Sequence, residues 1–198
     1  VCGVDSAEQR SHGVTDSVAA FVDDVMAKTE GRADRALAAV IGHESGPAID
    51  WLAAQHSVPL KLDFAWTGLG HSRPRLHVPP GRTGEELLVL LSQAAERAGV
   101  TVVTEALVTG LYADDSGRVT GVRIQRPDGR HEELGCQAVI FATCGFGGNH
   151  DMIAGHIPSM ATARYFGHEG NRGDGIRWGQ ALGGAVDDMT AYQGLGTL

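Results

Sequence analysis

Apolar residues recur at helical spacing in the first quarter of the chain. One such face follows the N-capping run Thr15-Asp16-Ser17 and consists of Val18, Phe21, Val22, Val25 and Met26. The range 33–41 predicts a second helix. Pro47 is placed to begin a third, because proline is favoured in the first turn of a helix. We therefore expect residues 15–56 to be mainly helical.

A further helix is predicted where Thr83-Gly-Glu-Glu86 forms a capping box. Its apolar face is Leu87, Leu88, Leu91, Ala94, Ala95 and Ala98, and Gly99 should end it. The preceding range 58–80 has neither the helical nor the strand period and is rich in Pro, Gly, Trp and His. It predicts a long ordered loop with short extended pieces.

The pattern changes to that of strands after Gly99. The range 100–105 predicts a short strand. Turn signals at Asp115-Ser-Gly117 and Pro127-Asp-Gly129 then separate three further segments, which predict an antiparallel meander. These segments are 107–113, 119–125 and 131–134.

The range 138–142 is apolar on both faces, as expected of a buried strand that returns the chain to a main sheet. A last helix is predicted from Asp174 to Leu182, before Gly183-Gly184. The alternation of helices and strands indicates the α/β class.

Charge and composition exclude several kinds of partner. The formal net charge is -8, which argues against a nucleic-acid backbone as ligand. No apolar run approaches the roughly 20 residues that a membrane span requires. The three cysteines fit neither a disulfide framework nor a paired metal site, so a reducing, cytoplasmic setting is expected. The spacing of His43, His56, His71 and His77 matches no zinc pattern, and no metal is expected.

The strongest functional signal is the segment 138–149, an apolar strand that runs into Thr143-Cys-Gly-Phe-Gly-Gly. Glycines at the carboxyl end of a strand let bare backbone approach a ligand, and open α/β sheets bind ligands at that edge. Gly173-Asp-Gly-Ile176 follows further along the chain. The fingerprint Gly-x-Gly-x-x-Gly after a first strand is absent, so we expect part of a cofactor-binding fold without its opening unit.

Taken in order, these motifs resemble the flavoprotein superfamily of fumarate reductases and succinate dehydrogenases, which includes 3-ketosteroid and tricarballylate dehydrogenases. Gln9–Ser17, Ala48–Leu52 and His71–His77 resemble its early helices and its His/Arg/Pro loop. The resemblance implies the interior part of a discontinuous FAD-binding domain of the two-dinucleotide-fold type. Residues 1–80 would be its helical and loop region, 81–149 its helix, strands and meander, and 150–198 the lead-in to a capping domain.

The resemblance also implies a set of FAD contacts. The backbone of Leu107 and Val108 would meet the adenine end, although an ordinary strand position would look the same. Ala142, Thr143 and Gly145 correspond to the family's Ala-Thr-Gly turn. Asp174 would accept hydrogen bonds from ribose-type hydroxyls, and an N-cap for a helix beginning at Ile176 is its structural alternative.

One position in the turn departs from the family pattern. Cys144 stands where the family usually has glycine, so a positive φ there would strain the backbone by roughly 1 kcal/mol or more. A catalytic thiolate is the weaker interpretation, since no histidine and acid pattern lies beside it in the sequence.

The substrate end also departs from the family. Gln193 and Leu195 lie where dicarboxylate-reducing members carry Gln-x-His, so an apolar side chain replaces a carboxylate donor. A less charged small-molecule substrate is therefore expected, and the family's catalytic groups would lie outside this chain.

The implied activity is hydride transfer between flavin N5 and a C–C bond next to an electron-withdrawing group. Alone, the chain is expected to be inactive and to bind FAD weakly or not at all. An apolar face left by missing segments would favour self-association. The alternative from another class is a non-catalytic α/β binding or assembly domain without flavin.

Overall fold

The computed structural model describes residues 1–65 and 67–192, which divide into two compact units between Val102 and Val103. The helices and strands of the N-terminal unit are α1 (Ala7–Ser11), α2 (Val18–Lys28), α3 (Arg35–His56), β1 (Lys61–Leu62), β2 (His77–Val78) and α4 (Gly84–Arg97). Those of the C-terminal unit are β3 (Leu107–Ala113), β4 (Val119–Gln125), β5 (His131–Gly135), α5 (His150–His156) and α6 (Asp174–Ala181). No helix within the described ranges is both long enough and apolar enough to span a bilayer.

The capped helices of the N-terminal unit begin where the sequence predicts. Ser17 caps α2 by accepting a hydrogen bond from the Ala20 amide, and Thr83 caps α4 through the Glu86 amide. Between them, β1 and β2 pair antiparallel within the predicted loop. The short helix α1, with a complete capping box between Ser6 and Gln9, was not predicted because it is only five residues long.

The expectation of two helices between residues 33 and 56 is wrong. α3 runs unbroken through Pro47, which has no amide hydrogen to donate within the helix. The buried residues of α3 lie on both sides of that proline and are Ala38, Gly42, Gly46 and Ile49. Tertiary packing of this continuous face outweighs the energetic cost of a proline inside the helix. Local sequence rules treat such a proline as a helix boundary.

The antiparallel meander is confirmed. β4 pairs with β3 on one side and with β5 on the other, and the observed bounds match the predicted ones to within one residue. A register shift between Val108 and Gly110 leaves Thr109 unpaired in β3.

Two predicted strands are not formed among the described residues. The ranges 100–105 and 138–142 hydrogen-bond to no neighbouring strand there. Most of their apolar side chains are exposed, and Ile140 is 91% accessible. A β-strand requires a neighbouring strand with which it exchanges hydrogen bonds. The apolar pattern therefore identified residues suited to a sheet, but it could not show whether a partner strand lies beside them.

A buried polar network occupies the N-terminal unit beside the apolar cluster of Ile49, Val58, Leu60 and Ala94. Arg75 is fully buried, and its Nε and Nη2 atoms donate to the Asp16 carboxylate at 2.7 and 2.8 Å. Its Nη1 donates to Asp24 at 2.5 Å. Arg75 is therefore a buried counter-ion for two carboxylates, one just before α2 and one within it.

His77 is also fully buried in this unit. Its Nδ1 lies 2.8 Å from the Arg75 carbonyl, which only accepts hydrogen bonds, so Nδ1 carries the proton. Ser6 Oγ lies 2.8 Å from Nε2, which is left as an acceptor. Burial lowers the pKa of His77 below its ordinary value of 6.5, although the hydrogen bond to the Arg75 carbonyl opposes the change.

Because of His77, we expect the free energy of unfolding to decrease at mildly acidic pH. The unfolded chain takes up a proton on His77 near its ordinary pKa, whereas the folded chain does so only at a lower pH. The stabilising effect of neutral His77 on the folded chain is therefore complete above about pH 6.5. It is lost as the pH falls below that value and through the pKa of His77 in the folded chain. Urea unfolding of the chain at several pH values between about 7 and 5 should show this slope, a free energy of unfolding that decreases as the pH falls.

His77→Gln should flatten that slope, since the amide keeps one donor and one acceptor but does not titrate. The control is His131→Gln, because His131 lies exposed on β5. An unchanged slope in His77→Gln would show that another group carries the pH dependence.

Candidate functional site

The glycine turn after residue 142 and the start of α6 lie against each other in the C-terminal unit. The Gly173 amide donates to the Gly145 carbonyl at 3.0 Å. A Cβ added at Gly175 would lie 2.7 Å from Thr143 Oγ1, so the close approach of these segments requires glycine. The structure thus brings Thr143, Gly145 and the Gly173-Asp-Gly motif together.

Asp174 is the first residue of α6, and Gly173 takes the N-cap position with φ of 75°. The N-cap alternative for Asp174 is therefore wrong. Its carboxylate pairs with the Arg177 guanidinium one turn along the helix and lies 3.9 Å from Arg172 Nε. Only 17% of the side chain is accessible. A carboxylate in the first turn also complements the helix dipole.

An open cleft of about 270 Å³ lies between the turn and α6. Its lining residues are Phe141, Thr143, Cys144, Gly175, Ile176, Gly179, Gln180, Ala185 and Val186. The Phe141 and Trp178 rings, with centroids 5.9 Å apart, join the same two segments. A mixed lining of bare backbone, hydroxyl and apolar side chains suits the sugar and ring portions of a nucleotide.

Cys144 has φ of 55°, which is the left-handed conformation in which a strain was expected at this position. Its side chain is exposed, and no hydrogen bond of the described residues offsets the conformational cost. The backbone here adopts the shape that glycine would favour, with a thiol added.

Cys144→Gly is accordingly expected to raise the free energy of unfolding by about 1 kcal/mol. Cys144→Ala is the matched control, because it removes the thiol but keeps the Cβ that causes the strain. Urea denaturation of the chain should separate the two variants. Equal stabilisation by both would trace the effect to the thiol instead of to φ.

The remaining predicted contacts are less closely associated. Ala142 is exposed at the start of the turn, while Leu107 and Val108 begin β3 and pair with Gln125 and Ile124. No described hydrogen bond links these two β3 residues to the turn. The predicted substrate positions Gln193 and Leu195 lie outside the described residues.

Sequence reasoning missed the residues that hold the turn in place. The Asn149 side chain caps α5 by accepting from the Met152 amide, and its Nδ2 donates to the Arg172 carbonyl at 3.0 Å. The Gly148 amide donates to the Asn171 carbonyl at 2.8 Å. The available signal was Gly-Asn-His-Asp, since asparagine before an acidic first turn is typical of an N-cap.

A family model described as FAD binding domain matches residues 1–196. The chain is 27% identical over 192 residues to a probable fumarate reductase of Shewanella frigidimarina, covering 96% of this chain and 32% of that protein. It is 27% identical over 199 residues to fumarate reductase 1 of Saccharomyces cerevisiae, covering 96% of this chain and 42% of that protein. It therefore spans about a third to two fifths of these relatives.

Solved structures show the same likeness. A 3-ketosteroid-Δ4-(5α)-dehydrogenase from Rhodococcus jostii RHA1, in complex with 4-androstene-3,17-dione, superposes with a TM-score of 0.82 at 26% identity, covering 96% of this chain and 46% of that one. The open conformation of a flavocytochrome c3 fumarate reductase gives a TM-score of 0.81 at 27% identity, covering 92% and 32%. The predicted α/β fold class, the family resemblance and FAD as the cofactor are confirmed.

Proposed function

Because the chain belongs to the FAD-binding domain family, whose relatives include flavoprotein oxidoreductases of the fumarate reductase type, we propose that its glycine turn and the start of α6 contact FAD. The observation that carries the proposal is the junction of Gly145 with Gly173 at 3.0 Å. It joins the glycine turn to the start of α6, and both segments contribute lining residues to one open cleft.

The residues present fit part of a dinucleotide. Gly175 brings bare backbone to the lining of the cleft, and the Thr143 hydroxyl lies beside it. Asp174 accepts hydrogen bonds from sugar hydroxyls but repels a pyrophosphate, so a ribityl or ribose group is its appropriate partner. At about 270 Å³, the cleft lies just below the common range of ligand pockets, roughly 300–1,000 Å³. It suits a portion of FAD, so we expect this chain alone to bind FAD weakly.

Each group has a separate task in this arrangement. The Arg177 guanidinium pairs with one oxygen of Asp174 and fixes the carboxylate at the start of α6, while the other oxygen lies nearer Arg172. Thr143 and the glycine backbone position the sugar. Leu107 and Val108 would contact the adenine end through their backbone groups.

In the whole protein, the flavin would exchange a hydride at N5 with a C–C bond next to an electron-withdrawing group. We infer a substrate less charged than a dicarboxylate, because Leu195 stands where a histidine donor would be expected. The chain supplies cofactor contacts in this scheme, and the catalytic groups belong to other segments. Purified chain supplied with fumarate and a reduced dye should therefore show no turnover.

The cofactor proposal is tested by titrating the purified chain with FAD and following the quenching of flavin fluorescence. Saturable quenching is expected, and Asp174→Asn should weaken binding about tenfold, since charge-assisted hydrogen bonds contribute more than neutral ones. Circular dichroism should verify that the variant is folded.

Asp128→Asn is the matched control, because it makes the same change at an exposed aspartate on the β4–β5 turn. An equal loss of affinity in both variants would mean that Asp174 affects FAD binding only through the net charge of the chain. Binding that is unaffected by Asp174→Asn would remove this carboxylate from the cofactor site.

A further inference from the structure

A second and larger open cavity, of about 650 Å³, lies in the C-terminal unit beside the loop that leads into α6. Its lining residues are Gly148, His150, Ala163, Arg164, Tyr165, Glu169, Gly170 and Arg172. It shares no lining residue with the cleft between the glycine turn and α6. Of the residues in the proposed flavin arrangement, Arg172 alone also lines this cavity, and it lies 3.9 Å from Asp174.

The charge of this cavity contrasts with that of the chain. Arg164 and Arg172 line it together with a single carboxylate, Glu169, in a chain whose formal net charge is -8. Arg164 forms no ion pair among the described residues, and its guanidinium lies 6.0 Å over the Phe166 ring. Arg172 comes only within 3.9 Å of Asp174, beyond a direct hydrogen bond. The cavity thus has one guanidinium group without an ion pair among the described residues and a second that is held only by a long ion pair.

The wall of the cavity is held in one arrangement by Tyr165. Its hydroxyl accepts a hydrogen bond from Asn171 Nδ2 at 2.6 Å. A Cβ added at either Gly147 or Gly167 would overlap the Tyr165 ring, so the tyrosine is packed between two glycines. The Gly148 amide, bonded to the Asn171 carbonyl, ties the opposite side of the same loop. These contacts keep the aromatic ring and the arginine-bearing loop together.

We propose that this cavity binds a small organic carboxylate that carries a ring. A guanidinium group matches the two oxygens of a carboxylate, and Tyr165 offers a surface against which a ring can pack. Glu169 limits the local excess of positive charge and so disfavours a phosphate dianion. The proposal does not depend on flavin binding at the neighbouring cleft.

The test is a ¹H–¹⁵N NMR titration of the chain with benzoate at constant ionic strength, without FAD. Saturable shifts centred on Gly148, Gly170 and Arg172 are expected. Arg164→Gln and Arg172→Gln should each raise the dissociation constant about tenfold, as expected for loss of a hydrogen bond to a charged group. Arg130→Gln is the control, because Arg130 is exposed and paired with Asp128 on the β4–β5 turn.

Three outcomes would overturn the proposal. The first is shifts that rise linearly or scatter over the surface, and the second is an equal loss of affinity in Arg130→Gln. The third is inorganic phosphate that saturates the same resonances at equal or lower concentration, which would assign the cavity to another ligand class. Since the titration contains no flavin, its result is independent of the Asp174→Asn test.

Discussion

Arg75→Met is expected to lower the free energy of unfolding by about 3–5 kcal/mol, because it leaves the buried Asp16 carboxylate without its counter-ion. Burial alone would raise the pKa of Asp16, but the hydrogen bonds from Arg75 and Gln9 hold it below its ordinary value. Without the guanidinium, Asp16 and Asp24 also lose the cation that separates them. Urea unfolding of the whole chain, followed by circular dichroism, measures the loss.

The neighbouring arginine supplies a matched control. Arg73 is exposed in the same loop, and its described hydrogen bond is to the carbonyl of Ser72, the preceding residue. Arg73→Met should change stability by less than about 0.5 kcal/mol. A second comparison adds Asp16→Asn to Arg75→Met, which should recover part of the loss by removing the stranded charge. Equal effects of the two arginine variants would contradict a structural role for the buried network.

Gly46→Ala is expected to destabilise the chain by about 3 kcal/mol, although alanine is the better helix former by about 1 kcal/mol. A Cβ at this position in α3 would overlap the carbonyl oxygen of Val4 and lie 3.1 Å from its carbonyl carbon. Both obstacles are backbone atoms of a buried residue, so the segment itself has to move. The midpoint of urea unfolding reports the change.

Gly42→Ala lies one turn earlier in α3 and tests the same substitution against softer neighbours. There the added Cβ would meet Phe21 Cδ1 at 3.0 Å and Val18 Cγ1 at 3.3 Å, and both are side-chain atoms that can shift. Its effect should stay within about 1 kcal/mol of the original chain. If Gly46→Ala is no more harmful than Gly42→Ala, the close approach of Val4 does not limit stability.

Local signals predicted much of the fold. Ser17, Thr83 and the turns at Asp115-Ser-Gly117 and Pro127-Asp-Gly129 fixed the starts of α2 and α4 and the register of the meander. Each acts over a few residues, through a cap or a tight turn, so the neighbouring sequence contains the information. The helix boundary expected at Pro47 was wrong because it considered only neighbouring residues, whereas the packing that keeps α3 continuous involves distant ones.

The candidate site was predicted in part. Its glycines and Asp174 could be identified because close backbone approach and an acidic helix start leave distinct residue types in the sequence. The partners of Asp174 could not, because Arg172 and Arg177 resemble any exposed arginine until the turn of α6 and the preceding loop are in place. The burial of Arg75 was hidden similarly, since its partners lie 59 and 51 residues away.

By itself the sequence determined the α/β class, the caps of α2 and α4, the turns of the meander and the flavoprotein family. Only the tertiary structure decided that α3 is continuous, that Arg75 is a buried counter-ion, and that the apolar ranges 100–105 and 138–142 lack strand partners among the described residues. The physical reason is range. Capping and turn formation depend on neighbouring residues, whereas burial, ion pairing and sheet hydrogen bonds depend on segments that only folding brings together.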